Sequence, residues 1–144
     1  MALYDRILNI SNILKEYSIK KAIEKTKEDL KGLDYERMCL VYTSYLYGNL
    51  KDLSCLAYIV DTTDLGLDFK HQFIIVPDTN KKYLLDLTYK QFCKEDKYLD
   101  KLLKDGYQEI NDNLYNYYLS KVTNTKTNIT IDESIFREIK GLGK

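Results

Sequence analysis

The sequence predicts an α+β fold in which a helix carrying a cysteine packs on a small antiparallel sheet, flanked by N-terminal and C-terminal helices. Three observations support this prediction. Apolar residues recur at helical spacing in the first third of the chain. From Cys55 the composition changes to short β-branched and aromatic segments separated by turn residues. Beyond Thr88 the helical pattern returns.

The N-terminal segment is helical in pattern. Apolar residues between 3 and 31 recur every three or four positions in a background rich in lysine and glutamate, which predicts one broken helix or two consecutive amphipathic helices. Gly32 is the expected stop. Such a segment either covers the core or binds a partner, and covering the core is the commoner role of an amphipathic face.

A strongly apolar helix is predicted next, from Tyr35 to Tyr47. Asp34 offers an N-cap side chain, and Gly48-Asn49 is the expected end. Cys39 therefore falls in the first turn or two of this helix.

Three strands are predicted to form an antiparallel meander, because turn-forming residues separate them. They are Leu56 to Asp61, Phe69 to Val76 and Lys82 to Leu87. Three C-terminal helices are then expected, with a flexible loop at 123–128 before the last: Lys97 to Leu103, Leu114 to Val122 and Asp132 to Ile139.

The chain carries no internal repeat and no marked change in composition that would divide it. We expect a single domain over 1–144, with a helical N-terminal region at 1–32, a core at 33–92 and C-terminal helices at 93–144.

Composition argues against several functional classes. Lysines and arginines number 22 and balance 22 aspartates and glutamates, so no overall charge attracts nucleic acid or an anionic membrane, and nuclease activity is disfavoured. No apolar run approaches the roughly 18 residues of a membrane span. Three cysteines and one histidine supply neither a disulfide framework nor a zinc site. We expect no metal, no cofactor and a free thiol in the reducing cytoplasm.

Cys39, His71 and Asp86 form the most informative pattern. Residues 71–86 read as a hairpin joined by a Pro-Asp-Thr-Asn turn, with His71 and Asp86 at its open ends. Because neighbouring strands lie roughly 5 Å apart, the two side chains can hydrogen bond. If the preceding helix presents Cys39 to this hairpin, the chain holds a nucleophile, its base and the group that orients the base.

The start of a helix is a position that activates a thiol. Backbone N–H groups and the helix dipole stabilise the thiolate, and an imidazolium stabilises it further. The backbone N–H of Cys39 is then one oxyanion donor. The second donor stays open among Gln91, Asn49 and a main-chain group between Tyr35 and Met38.

Each of these residues taken alone is more often structural: a buried thiol, a strand histidine, a turn or cap aspartate. Their joint order favours catalysis. Cys55 and Cys93 compete as nucleophiles, but Cys55 lies in a strand-like segment and Cys93 follows both partners. The competing hypothesis is a non-enzymatic binding module, of immunity or adaptor type, in which 14 tyrosines supply a recognition face.

The segment Leu85-Asp86-Leu-Thr-Tyr-Lys-Gln91-Phe92, with Cys39 on a helix and His71 on a strand, resembles the papain-like and transglutaminase-like superfamily. It is similar to the small papain-fold toxin and effector domains of bacteria. The similarity extends over roughly Tyr35 to Phe92. The chain departs from the family in having no tryptophan beside Cys39 and no glutamine shortly upstream.

The resemblance implies a Cys-His-Asp enzyme acting on a protein substrate by deamidation of glutamine, amide transfer or peptide cleavage, all of which begin with the same thioester. It further implies delivery into a target cell as part of a longer exported protein, and a cognate inhibitor or immunity protein as partner.

Overall fold

A computed structural model describes residues 3–33, 39–66, 71–79, 81–89 and 97–122, with side chains described from Leu14 onward and not at position 97. Within these ranges the chain forms four α-helices and a four-stranded antiparallel sheet, which confirms the α+β fold. The elements, in order, are α1 (Leu3–Asp29), α2 (Cys39–Asp52), β1 (Tyr58–Asp61), a short 3-10 helix (Thr62–Leu65), β2 (Gln72–Pro77), β3 (Lys82–Leu85), α3 (Lys97–Leu103), β4 (Tyr107–Glu109) and α4 (Asp112–Val122).

The strands lie in the order β1-β2-β3-β4, each antiparallel to the next. The predicted meander is confirmed for its first three strands. The fourth, β4, pairs Tyr107 with Leu85 and was not predicted. Its three residues, Tyr-Gln-Glu, are too few to display an alternating pattern.

Alternating side chains along β2 divide the core between the two faces of the sheet, as the period of two in a strand requires. Ile74 and Val76 pack with α1 and α2, whereas Phe73 packs with α3 and α4. The helix carrying Cys39 therefore packs on one face, as expected. The other face is covered by the C-terminal helices, whose buried contributions are Leu99, Leu102, Leu103, Leu114, Tyr117, Tyr118 and Val122.

Both N-terminal helices differ from their predicted bounds. Residues 3–29 form one continuous helix, and Gly32 follows with a φ of +90°. The predicted end of α2 at Gly48-Asn49 is wrong, because the helix continues to Asp52. Leu50 is fully buried, and burying a leucine contributes about 1.5–3 kcal/mol, more than the roughly 1 kcal/mol that a helical glycine costs.

The C-terminal helices agree with the pattern where the structure describes them. Lys97–Leu103 has the predicted bounds, and α4 begins slightly earlier than expected, at Asp112. The predicted helix at 132–139, the loop at 123–128 and the N-cap Asp34 lie outside the described residues. Among the described helices, none is both long and apolar enough to cross a membrane.

Candidate active site

His71 and Asp86 meet at one end of the β2–β3 hairpin. His71 directly precedes β2 and Asp86 directly follows β3, so antiparallel pairing brings them side by side. Both residues are buried, with 0% and 2% of their surfaces exposed. His71 Nε2 lies 2.8 Å from Asp86 Oδ2. This is the contact predicted from the hairpin.

The Asp86 carboxylate is held at both oxygens. Oδ1 accepts hydrogen bonds from the Thr88 backbone N–H (2.8 Å) and from the Thr88 hydroxyl (3.1 Å). Oδ2, the oxygen that faces His71, also accepts from the Tyr118 hydroxyl at 2.5 Å. These donors compensate for the loss of water around a buried carboxylate. They also fix the rotation of the carboxylate, so that one oxygen points at the imidazole.

The backbone of His71 is fixed by Thr62, the first residue of the 3-10 helix. The His71 N–H donates to Thr62 Oγ1 at 2.8 Å, and the Thr62 N–H donates to the His71 carbonyl at 2.9 Å. Thr62 is itself fully buried. The imidazole thus projects from a backbone that is hydrogen-bonded in both directions.

Cys39 is the first residue of α2 and is half-buried. Its thiol interacts with the His71 side chain and with the backbone N–H of Gln72. The hydrogen bond from His71 lowers the pKa of the thiol; burial opposes that effect and the Gln72 N–H adds to it. Because His71 Nε2 faces Asp86, the buried Nδ1 is the ring nitrogen available to Cys39. The structure therefore brings all three predicted residues together.

A second contact joins α2 to the start of β2. Thr43, one turn after Cys39 and on the same face of the helix, donates its hydroxyl to the Gln72 carbonyl at 3.4 Å. The N–H of Gln72 donates to the Cys39 sulfur, and the carbonyl of Gln72 accepts from the Thr43 hydroxyl. One peptide segment of β2 thereby sets the position of the helix start.

The electrostatics of the site favour a charged pair. Burial opposes the imidazolium, but the charge of Asp86 and its hydrogen bond, together with smaller contributions from Cys39, outweigh that effect and raise the pKa of His71 to about 9. The pKa of the Cys39 thiol moves in the opposite direction, downward. Both shifts favour the charged form of each group, a thiolate next to an imidazolium, which is the reactive form of a cysteine nucleophile.

The other cysteines differ from Cys39. Cys55 is buried in the cluster between α1, α2 and the sheet, and burial raises the pKa of its thiol. Cys93 lies outside the described residues. Among the described cysteines, only Cys39 contacts an imidazole.

The candidates for the oxyanion donor lie at different distances from Cys39 or outside the described residues. Asn49 is wrong for this role: its amide nitrogen donates to Thr26 Oγ1 (2.9 Å) and Asp29 Oδ2 (3.3 Å), joining α2 to α1. Ten residues of helix separate it from Cys39, about 15 Å along the axis. Gln91 and the positions 35–38 lie outside the described residues. The Cys39 N–H at the start of α2 stays the predicted donor.

Sequence reasoning missed the contributions of Tyr118, Thr62 and Thr43. Thr88 lay in the Asp-x-Thr segment already singled out, but its bonds to Asp86 were not foreseen. Tyr118 is one of 14 tyrosines and lies in an ordinary amphipathic pattern. No local signal distinguishes it, since its partner is 32 residues away.

Two further features bear on the site. Among the described residues, no group of three or more His, Cys, Asp or Glu side chains is placed to hold a metal ion. A cavity of about 590 Å³ lies at the opposite end of β2, where Pro77, Lys82 and Tyr115 line it. None of the three site residues borders that cavity.

Comparison with known proteins yields no relative. No family model, no curated protein and no solved structure matches the chain.

Proposed function

We propose that this chain catalyses acyl transfer on a protein substrate, with Cys39 as nucleophile, His71 as general acid and base, and Asp86 as the residue that orients His71. The contact that carries the proposal is the thiol at the start of α2 beside an imidazole whose other nitrogen is 2.8 Å from a buried carboxylate. A structural cysteine needs neither partner.

In the first step the Cys39 thiolate attacks the carbon of a substrate amide, forming a C–S bond and placing negative charge on the carbonyl oxygen. The Cys39 N–H, which points out of the helix start, can donate to that oxygen. The imidazolium of His71 then gives its proton to the amide nitrogen. The C–N bond breaks and leaves a thioester, with ammonia released from a glutamine side chain or an amine from a peptide bond.

In the second step water or an amine attacks the thioester, and neutral His71 takes the incoming proton. The C–S bond breaks, and the departing thiolate again lies next to an imidazolium. Water yields a deamidated or cleaved substrate, whereas an amine yields a cross-link. The three site residues are the same for all three outcomes, so the walls of the cleft select among them.

The sequence resemblance to papain-fold toxin and effector domains supports a role as a toxin or effector that acts on a protein of a target cell. It also supports a cognate inhibitor or immunity protein as the natural partner. Such an inhibitor would have to cover Cys39, which is half-buried, whereas His71 and Asp86 are already buried.

Replacing the nucleophile tests this proposal. We expect Cys39→Ser to fold and to bind the target, while the target loses its deamidation (about one dalton), cross-link or cut because no thioester forms. Mass spectrometry of the target measures each product. Asp86→Asn should reduce the same activity less completely, since the attacking atom remains. Cys55→Ser is the control and should leave activity unchanged.

A non-enzymatic binding module is the second candidate, and one observation favours it. The outer strand β1 and the loop before it expose three large apolar side chains, Leu56 (55%), Tyr58 (55%) and Ile59 (41%). Exposed apolar and aromatic residues are typical of interaction surfaces. If Cys39→Ser keeps the full biological effect of the parent chain, the effect comes from binding and the catalytic proposal is wrong.

A further inference from the structure

Tyr118 is a buried titratable side chain that the reaction described above does not use. It lies on α4, far along the chain from the residues of the proposed triad, and only 2% of its surface is exposed. Its hydroxyl donates to Asp86 Oδ2 at 2.5 Å and lies 3.2 Å from His71 Nε2. A buried tyrosine hydroxyl needs a hydrogen-bond partner, and here the partner is the carboxylate oxygen that also faces His71.

We propose that Tyr118 is a positioning residue for the base of the site. Oδ2 of Asp86 is shared between His71 and Tyr118, so the hydroxyl takes up part of the negative charge that would otherwise act on the imidazolium alone. The catalytic part of this inference depends on the proposed function, whereas its electrostatic part does not.

The surroundings of the Tyr118 ring hold the hydroxyl in place. The ring meets Phe73 edge-on, with centroids 5.0 Å apart and planes at 81°, and it belongs to the buried cluster between the sheet and α3 and α4. Such an arrangement leaves the ring little freedom to turn away. The opposite oxygen, Oδ1, is occupied by Thr88, so the carboxylate cannot rotate to exchange its two oxygens without losing bonds.

The charged and polar groups that face His71 come from every element around it. Asp86 and Tyr118 face Nε2, and Cys39 faces the other side of the ring. Thr62 contacts the backbone. Tyr118 lies on α4 and touches this network, and it thereby couples α4 to the site.

The test uses the fact that the chain has one histidine, so its imidazole signals in NMR spectra need no assignment. Tyr118→Phe keeps the ring and removes the hydroxyl. We expect the titration midpoint of His71 to move upward from its value in the parent, because the charge of Oδ2 then acts on the imidazolium alone. The matched control is Tyr115→Phe, which removes a hydroxyl from the same helix and from a ring that also contacts Phe73 (6.1 Å).

An upward shift in Tyr118→Phe with no shift in Tyr115→Phe supports the proposal. An unchanged or lowered midpoint in Tyr118→Phe overturns it, since the hydroxyl then does not compete with His71 for Oδ2. An NMR measurement on the parent chain tests the same contact even if the Tyr118→Phe variant does not fold. The Tyr118 hydroxyl proton should give a slowly exchanging downfield signal with a cross-peak to the His71 ring, and its absence would also overturn the proposal.

Activity provides the catalytic test. Once a protein that the chain modifies has been identified, Tyr118→Phe should lower kcat by about tenfold and leave KM unchanged. This is the effect expected when the Asp86 carboxylate, which does not touch the substrate, loses a hydrogen bond. If the midpoint shifts but Cys39→Ser retains full biological effect, Tyr118 still tunes His71 and the proposed function fails. The two failures are thus distinguishable.

Discussion

Thr43 and Gln72 join the helix that begins with Cys39 to the start of β2: the Thr43 hydroxyl donates to the Gln72 carbonyl at 3.4 Å, one helical turn from Cys39. The Gln72 N–H meets the Cys39 sulfur. Since Gln72 directly follows His71, the same short segment carries the imidazole and contacts the helix that begins with Cys39. The contact between α2 and β2 therefore holds the Cys39 thiol close to the His71 imidazole.

The first prediction concerns thiol reactivity. Cys39 should be alkylated by iodoacetamide at mildly acidic pH, where Cys55 stays unreactive, because the pKa of Cys39 is lowered by His71 whereas burial raises that of Cys55. Cys93 is also predicted to be inert. Peptide mass spectrometry after brief labelling measures each site. His71→Ala should abolish the selectivity, and equal labelling of all three thiols between pH 5 and 9 in the folded protein would contradict the assignment.

The second prediction concerns Thr43. Thr43→Val keeps the shape of the side chain and removes the donor to Gln72, so the start of α2 should be held less firmly against β2. A neutral hydrogen bond of this length contributes about 0.5 kcal/mol, so the fold should persist. We expect slower alkylation of Cys39 at pH 6, measured against Ser44→Ala, which removes an exposed hydroxyl from the next position of the helix. Equal rates in the two variants would show that Thr43 does not position the thiol.

Stability should depend on pH in a way that reveals the charged pair. The pKa of His71 rises from 6.5 to about 9 on folding, so its contribution is complete below pH 6.5 and is lost as the pH rises toward 9. The pKa of Cys39 falls from 9.0, so its contribution grows as the pH rises through its folded pKa toward 9. Where both effects act, the two contributions to the pH dependence of stability oppose each other. The reason is that the thiolate and imidazolium of the folded state together bind one proton, as do the thiol and neutral imidazole of the unfolded state.

The third prediction follows from this opposition. Cys39→Ser removes the contribution of Cys39 to stability, which rises with pH. It also removes the smaller effect of Cys39 on the pKa of His71, but Asp86 remains and still raises that pKa. The thermal unfolding midpoint of Cys39→Ser should therefore fall more steeply than that of the parent chain as the pH rises above 6.5. Cys55→Ser should keep the slope of the parent, since Cys55 has no part in the pair. Identical slopes in Cys39→Ser and the parent would mean that Cys39 is an ordinary thiol in this range.

Much of this site was predictable because it depends on short-range order. A hairpin with a recognisable turn places His71 beside Asp86 whatever the rest of the chain does. Tyr118, in contrast, reaches Asp86 only through the packing of α4 on the sheet, and no local pattern encodes that contact. The end of α2 was misjudged for a related reason, since Gly48-Asn49 is a local stop signal and the burial of Leu50 is a tertiary effect.

The last prediction concerns the loop before β4, in which Gly106 is hydrogen-bonded to the backbone of Asp86. The Gly106 carbonyl accepts the Asp86 backbone N–H at 3.0 Å, and its own N–H donates to the Leu103 carbonyl at 2.8 Å. Its φ of +88° lies in the left-handed region, and an added Cβ would lie 2.5 Å from Leu87 Cδ2. Both the backbone conformation and the close approach therefore require glycine here.

Gly106→Ala should destabilise the fold by about 2 kcal/mol or more, from left-handed strain together with displacement of the side chain of Leu87. Gly48→Ala is the matched control, because Gly48 lies inside α2 with nothing within 4 Å of its added Cβ, and it should stabilise the fold by up to about 1 kcal/mol. Denaturant unfolding of both variants measures the difference. A neutral Gly106→Ala would mean that the loop can shift freely, and its bond to Asp86 would then contribute nothing to holding the carboxylate that orients His71.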